Sequence, residues 1–446
     1  MTGRISFLII ICLLAGMSIA APSFAADEYS LHDLYRIALK KSERIKISEE
    51  DLFISSKGKD KAVSALLPKL SAFSSYTRYS EDKQSASGSI IQPDSSGSYG
   101  LRLDQSITLN GREITGLDIA KESIGKSRHD LDAVRESYIF GVASAFYDAL
   151  KAVKSVDIAK SNAERLKKHR DAAAVRLKVG EVTKTALLRA EAELSGANSD
   201  LVKAENILKL AKAALARTAG IEGDFILKEG DGSYAEKDLA AMTAGCENVK
   251  SAKLQCFKQK ASDSRPELKS LSLQEKIAGM QIKYSEGSLW PTISIEGVYS
   301  RKDESPASAF LNKESVYAGL KFNFPFFEGG LRKAEISEAE AKKRQAELAY
   351  EDSRKTIFID VENAWLDLQT QKDILKSLGD QVSFAKDNYN AVTRQFGVGL
   401  ASSIDVMDAN NLLVTSERRL SEAWYGYLLS IQRLKRVTGT LLTGIQ

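Results

Sequence analysis

Proline is scarce and unevenly placed. Seven occur, at 22, 68, 93, 266, 291, 306 and 325, with none between Pro93 and Pro266 and none after Pro325. A proline inside a helix removes a backbone donor and costs about 3 kcal/mol, so those two spans are free to form long helices. Histidine is rarer still. His32, His129 and His169 share no metal-ligand spacing, and neither a metal site nor a cofactor is expected. No phosphate-binding glycine loop occurs, and the plentiful Asp, Glu and Ser form no triad, so the chain does not read as an enzyme. Lys and Arg number 63 against 59 Asp and Glu. No basic run is interleaved with aromatics, which argues against nucleic acid as a partner. Beyond the first 25 residues, no apolar run could cross a membrane as a helix.

The N-terminus is what supplies an apolar run. Arg4 precedes the mostly apolar stretch Ile5 to Ala15, and Ser23-Phe24-Ala25 follows. A charged start, an apolar middle and a small-x-small site describe a signal peptide, residues 1–25, cleaved after Ala25. Cys12 follows Ile11, where lipidation requires a small residue, and belongs to the apolar stretch. The two remaining cysteines, Cys246 and Cys256, fit a disulfide in an exported chain; two free thiols are the alternative.

What the mature chain does contain is a long internal repeat. Val175 to Leu194 reads as helix, glycine-marked turn and returning helix, and 219 residues later Arg394 to Leu413 repeats it, Val179-Gly180 falling on Val398-Gly399. Ala145-Phe146-Tyr147-Asp148 falls on Ala364-Trp365-Leu366-Asp367, and Leu67-Pro68 aligns with Trp290-Pro291. A repeat this long is a duplicated domain. The first repeat covers 26–220: a helix from Tyr29 to Leu66, a strand hairpin over 68–109, a long helix over 112–178, a tip at 179–183 and a return helix over 184–219. A connector of weak periodicity, 221–264, holds both cysteines. The second repeat, 265–446, has a helix, a hairpin over 291–327, a long helix over 331–395, a tip at 397–402 and a return helix over 403–438.

The hairpins change the period to two. Tyr99, Leu101, Leu103, Ile107 and Leu109 share one face against Ser98, Arg102, Asp104, Ser106 and Thr108. Val316, Ala318, Leu320, Phe322, Phe324 and Phe326 do the same against Tyr317, Lys321 and Asn323. One apolar and one polar face on strands of this length is the pattern of a transmembrane barrel, and also of an ordinary amphipathic hairpin. Lipid tolerates no open sheet edge. Four strands per chain would therefore require shared closure, eight strands from two chains or twelve from three. The helices carry a seam stepping by three and four: Val142, Ala145, Ala149, Ala152, Val156, Ala159, Ala163, Leu166, and in the second repeat Val361, Ala364, Leu368, Gln371, Leu375. That is coiled-coil packing, and its many alanines imply close approach.

An exported, duplicated chain with hairpin, long helix, tip and return helix in each half resembles the outer-membrane efflux proteins of the TolC family. The resemblance rests on the tips, Val179-Gly180 and Val398-Gly399-Leu400, and on the strand-to-helix junctions Gln105 to Arg112 and Phe324 to Gly330. It implies a mixed fold, membrane β-barrel plus α-helical barrel, mainly α by residue count. It further implies a homotrimer in the outer membrane of a Gram-negative bacterium, in contact with outer-membrane lipid and projecting into the periplasm. Such a duct serves a tripartite efflux pump or a type I secretion system. Its tips dock on a periplasmic adaptor protein that links it to an inner-membrane pump. Asp405 and Asp408 match the family's acidic pore-entrance positions, and the alternative for them is two solvated carboxylates near a helix start. The family's tip-locking aromatic and arginine match Phe396 and Ala401, and their acidic partner matches Ala186, so closure here is expected to rest on packing. The rival reading is a periplasmic coiled-coil adaptor acting as a scaffold.

Overall fold

The computed structural model describes residues 27–230, 233–244, 246 and 250–444. The signal peptide, with its cleavage point after Ala25, lies outside the described residues. The chain runs β1 (Asp27–Tyr29), α1 (Leu31–Lys41), α2 (Glu43–Ser64), β2 (Lys69–Arg78), β3 (Lys83–Gln84), β4 (Ile90–Gln92), β5 (Ser95–Thr108), α3 (Arg112–Lys178), α4 (Lys184–Ala219) and β6 (Phe225–Leu227). It continues α5 (Ser233–Thr243), α6 (Lys250–Ser264), α7 (Pro266–Glu286), β7 (Thr292–Ser305), β8 (Glu314–Asn323), α8 (Leu331–Gly397) and α9 (Ser403–Val437).

α3 and α8 are each 67 residues long, about 100 Å at 1.5 Å per residue. Their seams are buried as the spacing requires: Ala149 and Val361 are fully enclosed, with Ala159, Ala163 and Leu368 nearly so. α4 packs chiefly on α3, whereas α9 packs on both α8 and α3. The burial follows. α4 hides one line, Ala190, Ala197, Ala204 and Leu215, while α9 hides residues around much of its girth.

At one end of the long helices stands a four-stranded antiparallel sheet in the order β2-β5-β7-β8. The two hairpins join through β5 and β7, in register from Ser95↔Ser305 to Thr108↔Thr292. The strands have 10, 14, 14 and 10 residues, enough for the roughly 9–11 that a tilted strand needs to cross a bilayer. Leu101, Leu103, Ile295, Val316, Leu320 and Phe322 are exposed on one face. The other face carries hydroxyl pairs across the strands, Ser75–Ser98 at 2.7 Å, Ser106–Ser294 at 2.7 Å and Ser300–Ser315 at 2.9 Å.

Three features depart from the expected layout. The single helix expected over Tyr29 to Leu66 is broken at Ser42, whose backbone leaves the helical region and whose hydroxyl accepts from Ile45 N at 3.3 Å. A serine side chain that bonds the following backbone starts a new helix more readily than it continues an old one. Residues 27–29 are strand, paired in parallel with 225–227. The connector, read as having no strong period, holds α5 and α6. α6 docks on α8 through Phe257, fully buried with its ring centroid 5.3 Å from that of Trp365, and through Lys258 to Glu362 at 2.9 Å. Cys246 and Cys256 are joined, their Cα atoms 5.9 Å apart.

The main core lies at this waist. Leu34 of α1, Ile139 and Val142 of α3, Leu215 of α4, Leu268 of α7, Val361 of α8 and Ile431 and Leu434 of α9 meet there.

Candidate functional site

The far ends of the two helical hairpins form the candidate site. At the first, α3 ends at Lys178 and Gly180 takes φ +78°; at the second, α8 ends at Gly397 and Gly399 takes φ +80°. In both, the glycine N–H returns to the carbonyl three residues back, Gly180 to Leu177 and Gly399 to Phe396, each at 3.1 Å. The next N–H reaches five residues back, Glu181 to Arg176 and Leu400 to Gln395, both at 2.9 Å. This is the double-bonded helix stop that needs a left-handed residue, which explains why Val-Gly recurs at both tips. Its consequence is exposure of the flanking apolar side chains: Val179 is 66 %, Val398 72 % and Leu400 81 % accessible.

The returning helices start differently. α4 has Thr183 as its cap, accepting from Ala186 N at 3.3 Å, and no acid in its first turn. α9 has a full capping box: Ser402 Oγ accepts from Asp405 N at 3.3 Å, and Asp405 Oδ2 accepts from Ser402 N and Oγ, both at 2.8 Å. Those donors hold the Asp405 carboxyl below the usual carboxylate range. Asp405 thus completes the cap of α9 with an exposed side chain. Asp408, one turn on, is also exposed and has no hydrogen-bond or ion-pair partner among the described residues. The buried neighbours Ser403, Val406, Met407, Ala409 and Asn410 leave both carboxylates on the outward side of α9.

Sequence reasoning missed how the tips are tied. Arg176 of α3 lays its guanidinium 4.7 Å from the Phe396 ring centroid and donates to the carbonyls of Phe396 and, at 3.0 Å, Gly397, while its Nε faces Glu181 at 3.2 Å. Phe396 itself is buried against His169, ring centroids 4.9 Å apart. His169 Nε2 lies 2.8 Å from Ser403 Oγ, and burial pushes its pKa down. Further along the same interface Asn410 Nδ2 donates to Asn162 at 2.7 Å, and Arg165 Nε donates to Asn410 Oδ1 at 2.9 Å. Asn162, Arg165, His169 and Arg176 lie along the side of α3 that meets the second hairpin, and their spacing by three, four and seven was the signal available. Beside the packing expected at the tips there is a hydrogen-bonded tie of another kind, its arginine supplied by the first hairpin and its acceptors backbone carbonyls of the second. Ala401 and Ala186 are both half-buried and donate no side-chain bond to it.

The comparisons with known proteins agree with this geometry. The family model described as outer membrane efflux protein matches residues 34–221 and again 258–440. The chain is 23 % identical to the outer membrane protein TolC of Escherichia coli K12 over 443 residues, covering 96 % of this chain and 86 % of that protein. It is 22 % identical to the outer membrane efflux protein BepC of Brucella suis over 345 residues, 77 % and 72 % of the two chains. Its fold matches the crystal structure of the outer membrane protein VceC of Vibrio cholerae with a TM-score of 0.75 at 16 % identity, covering 92 % of this chain and 96 % of that one. The scaffolding-adaptor alternative finds no support in any of these. The chain belongs to the outer membrane efflux protein family, the family of TolC.

Proposed function

We propose that this chain is one protomer of a homotrimeric channel-tunnel, the exit duct of a tripartite efflux pump or a type I secretion system. The observation that carries the reading is the polarity of the molecule. A sheet with an exposed apolar face stands at one end of two 67-residue helices, and a pair of matched, apolar turns stands at the other. Among the described residues the edges of β2 and β8 have no partner, and lipid would leave those backbone groups unsatisfied. Three copies pairing β8 to β2 would close twelve strands. The outer faces of α4 and α8 also keep large apolar groups in solvent, Leu210 at 71 %, Leu348 at 70 % and Phe384 at 72 %, which neighbouring copies would cover.

In this reading the duct is passive, and the tips Val179, Gly180, Val398, Gly399 and Leu400 dock on a periplasmic adaptor that connects to an inner-membrane pump. Asp405 and Asp408 would form stacked acidic rings, which favour cations. The first test is extraction from the outer membrane in mild detergent followed by native mass. A trimer is expected; a monomer in the soluble periplasmic fraction would sink the proposal. In planar bilayers, Asp408→Asn should lower the cation preference read from the reversal potential. Asp405→Asn should do so too, while also weakening the α9 capping box. An unchanged reversal potential in Asp408→Asn would remove Asp408 from the pore.

A further inference from the structure

Between α3 and α9, toward the waist from the tips, the packing opens into a groove of ≈ 460 Å³, within the size range of small-molecule sites, about 300–1,000 Å³. Its apolar surface comes from Ile158 of α3, and from Leu420 and the indole of Trp424 on α9. Its carboxylates are Asp157, Glu417 and Glu229, the last carried by the connector just beyond β6, and Lys154 is the cation that lines it. Glu417 is already met by Arg165 at 3.4 Å, and Glu229 accepts the Tyr425 hydroxyl at 2.7 Å. Asp157 has no hydrogen-bond or ion-pair partner among the described residues. The Oγ of Ser421 is buried in the same wall with no hydrogen-bond partner, and a buried unpaired hydroxyl is unfavourable unless something meets it.

The groove is not a by-product of the duplicated scaffold. At the positions 219 residues earlier, Leu420, Ser421 and Trp424 correspond to Leu201, Val202 and Glu205, so the serine and the indole belong to the second hairpin alone. Trp424 lies 19 residues along the helix from Asp405, about 28 Å at 1.5 Å per residue, well away from the tips.

We propose that this groove is a binding site for an amphipathic organic cation. The apolar body lies against Ile158, Leu420 and the face of Trp424, the positive head turns to Asp157 and Glu229, and a polar group of the ligand meets Ser421. Removing apolar surface from water supplies the attraction, and a cation over an indole beside carboxylates supplies the choice of sign. The site holds whether or not the chain conducts, so it stands apart from the duct reading.

The test uses the full mature chain in detergent with tetraphenylphosphonium as probe and tetraphenylborate as its anion of like shape. Equilibrium dialysis should show saturable binding of one phosphonium per chain, with the borate about tenfold weaker or worse. Binding should quench tryptophan fluorescence in the parent and not in Trp424→Phe. Asp157→Asn, an exposed and isosteric change, should weaken binding about tenfold, and Ser421→Leu, which fills the groove, should abolish it. Absence of saturable binding, equal binding of the two ions, or an unaltered Asp157→Asn would each overturn the proposal. Native mass and conductance of the same samples report on the duct separately.

Discussion

Arg176 is the residue on which the tip geometry turns. Its guanidinium covers the Phe396 ring and bonds two carbonyls at the end of α8. Hydrogen bonds from a charged donor contribute about 1.5–3 kcal/mol, so Arg176→Ala should free the second tip from the first and raise ion leak through the isolated duct. Arg176→Lys should recover little of the closure, because an ammonium has no planar fork to span two carbonyls and a ring. Leak equal to the parent in Arg176→Ala would show that the tie does not hold the entrance. His169 sets a pH dependence at the same place. Burial lowers its folded pKa below the unfolded value, so the native state prefers the neutral ring. That contribution is present above the ordinary histidine pKa, about 6.5, and is lost as pH falls through the folded value, where the added charge would sit near Arg176. Leak should therefore rise on acidification below the ordinary histidine range, and His169→Asn, which never charges, should flatten the profile.

At the scale of elements, the alanines of the seams set how closely the helices pack. Ala190 on α4 is fully enclosed and Ala409 on α9 is 4 % exposed, so a larger side chain at either has nowhere to go. Overpacking of this kind costs about 1–3 kcal/mol. Ala190→Leu or Ala409→Leu should splay the hairpin near its tip and raise ion leak, with the native mass in detergent the same as the parent's. Unchanged leak in both would mean that Arg176 and its polar neighbours, rather than packing, keep the entrance shut. Asn162, Asn410, Arg165 and Ser403 contribute differently. Their buried bonds cross from the first hairpin to the second and fix one register between two long seams that alanine alone would leave free to slide.

For the whole molecule, the waist is the point of greatest electrostatic consequence. Glu136 of α3 is 4 % exposed, and Arg265 at the start of α7, 5 % exposed, pairs with Glu267 at 3.2 Å and reaches Asp360 at 3.8 Å. Burial first, then the Glu267 carboxylate, push Glu136 from its ordinary 4.5 up to about 8, against the pull of Arg265 and Arg436. Between those two values the unfolded chain has released a proton that the native chain keeps, so stability falls as pH rises through that window and levels off beyond it. At about 1.4 kcal/mol per pKa unit, Glu136→Gln should gain up to about 5 kcal/mol over the parent above pH 8 and little near pH 4. Unfolding midpoints of both proteins at the two pH values check this, and an equal gap at both would count against a buried acid. Much of this architecture was legible in the residues. The missing prolines allowed the long helices, the three-and-four step placed their seams, Val-Gly marked both stops, and the period-two stretches marked the strands, because each of these signals is local and repeats along the chain. Tertiary structure alone decided the rest. It zipped residues 27–29 onto 225–227 and docked α6 through two buried residues, Phe257 and Ala261. It also turned Arg176 onto carbonyls 220 residues away. Those contacts join distant segments, and several of them end on backbone atoms that every residue carries, so no side-chain pattern announces them.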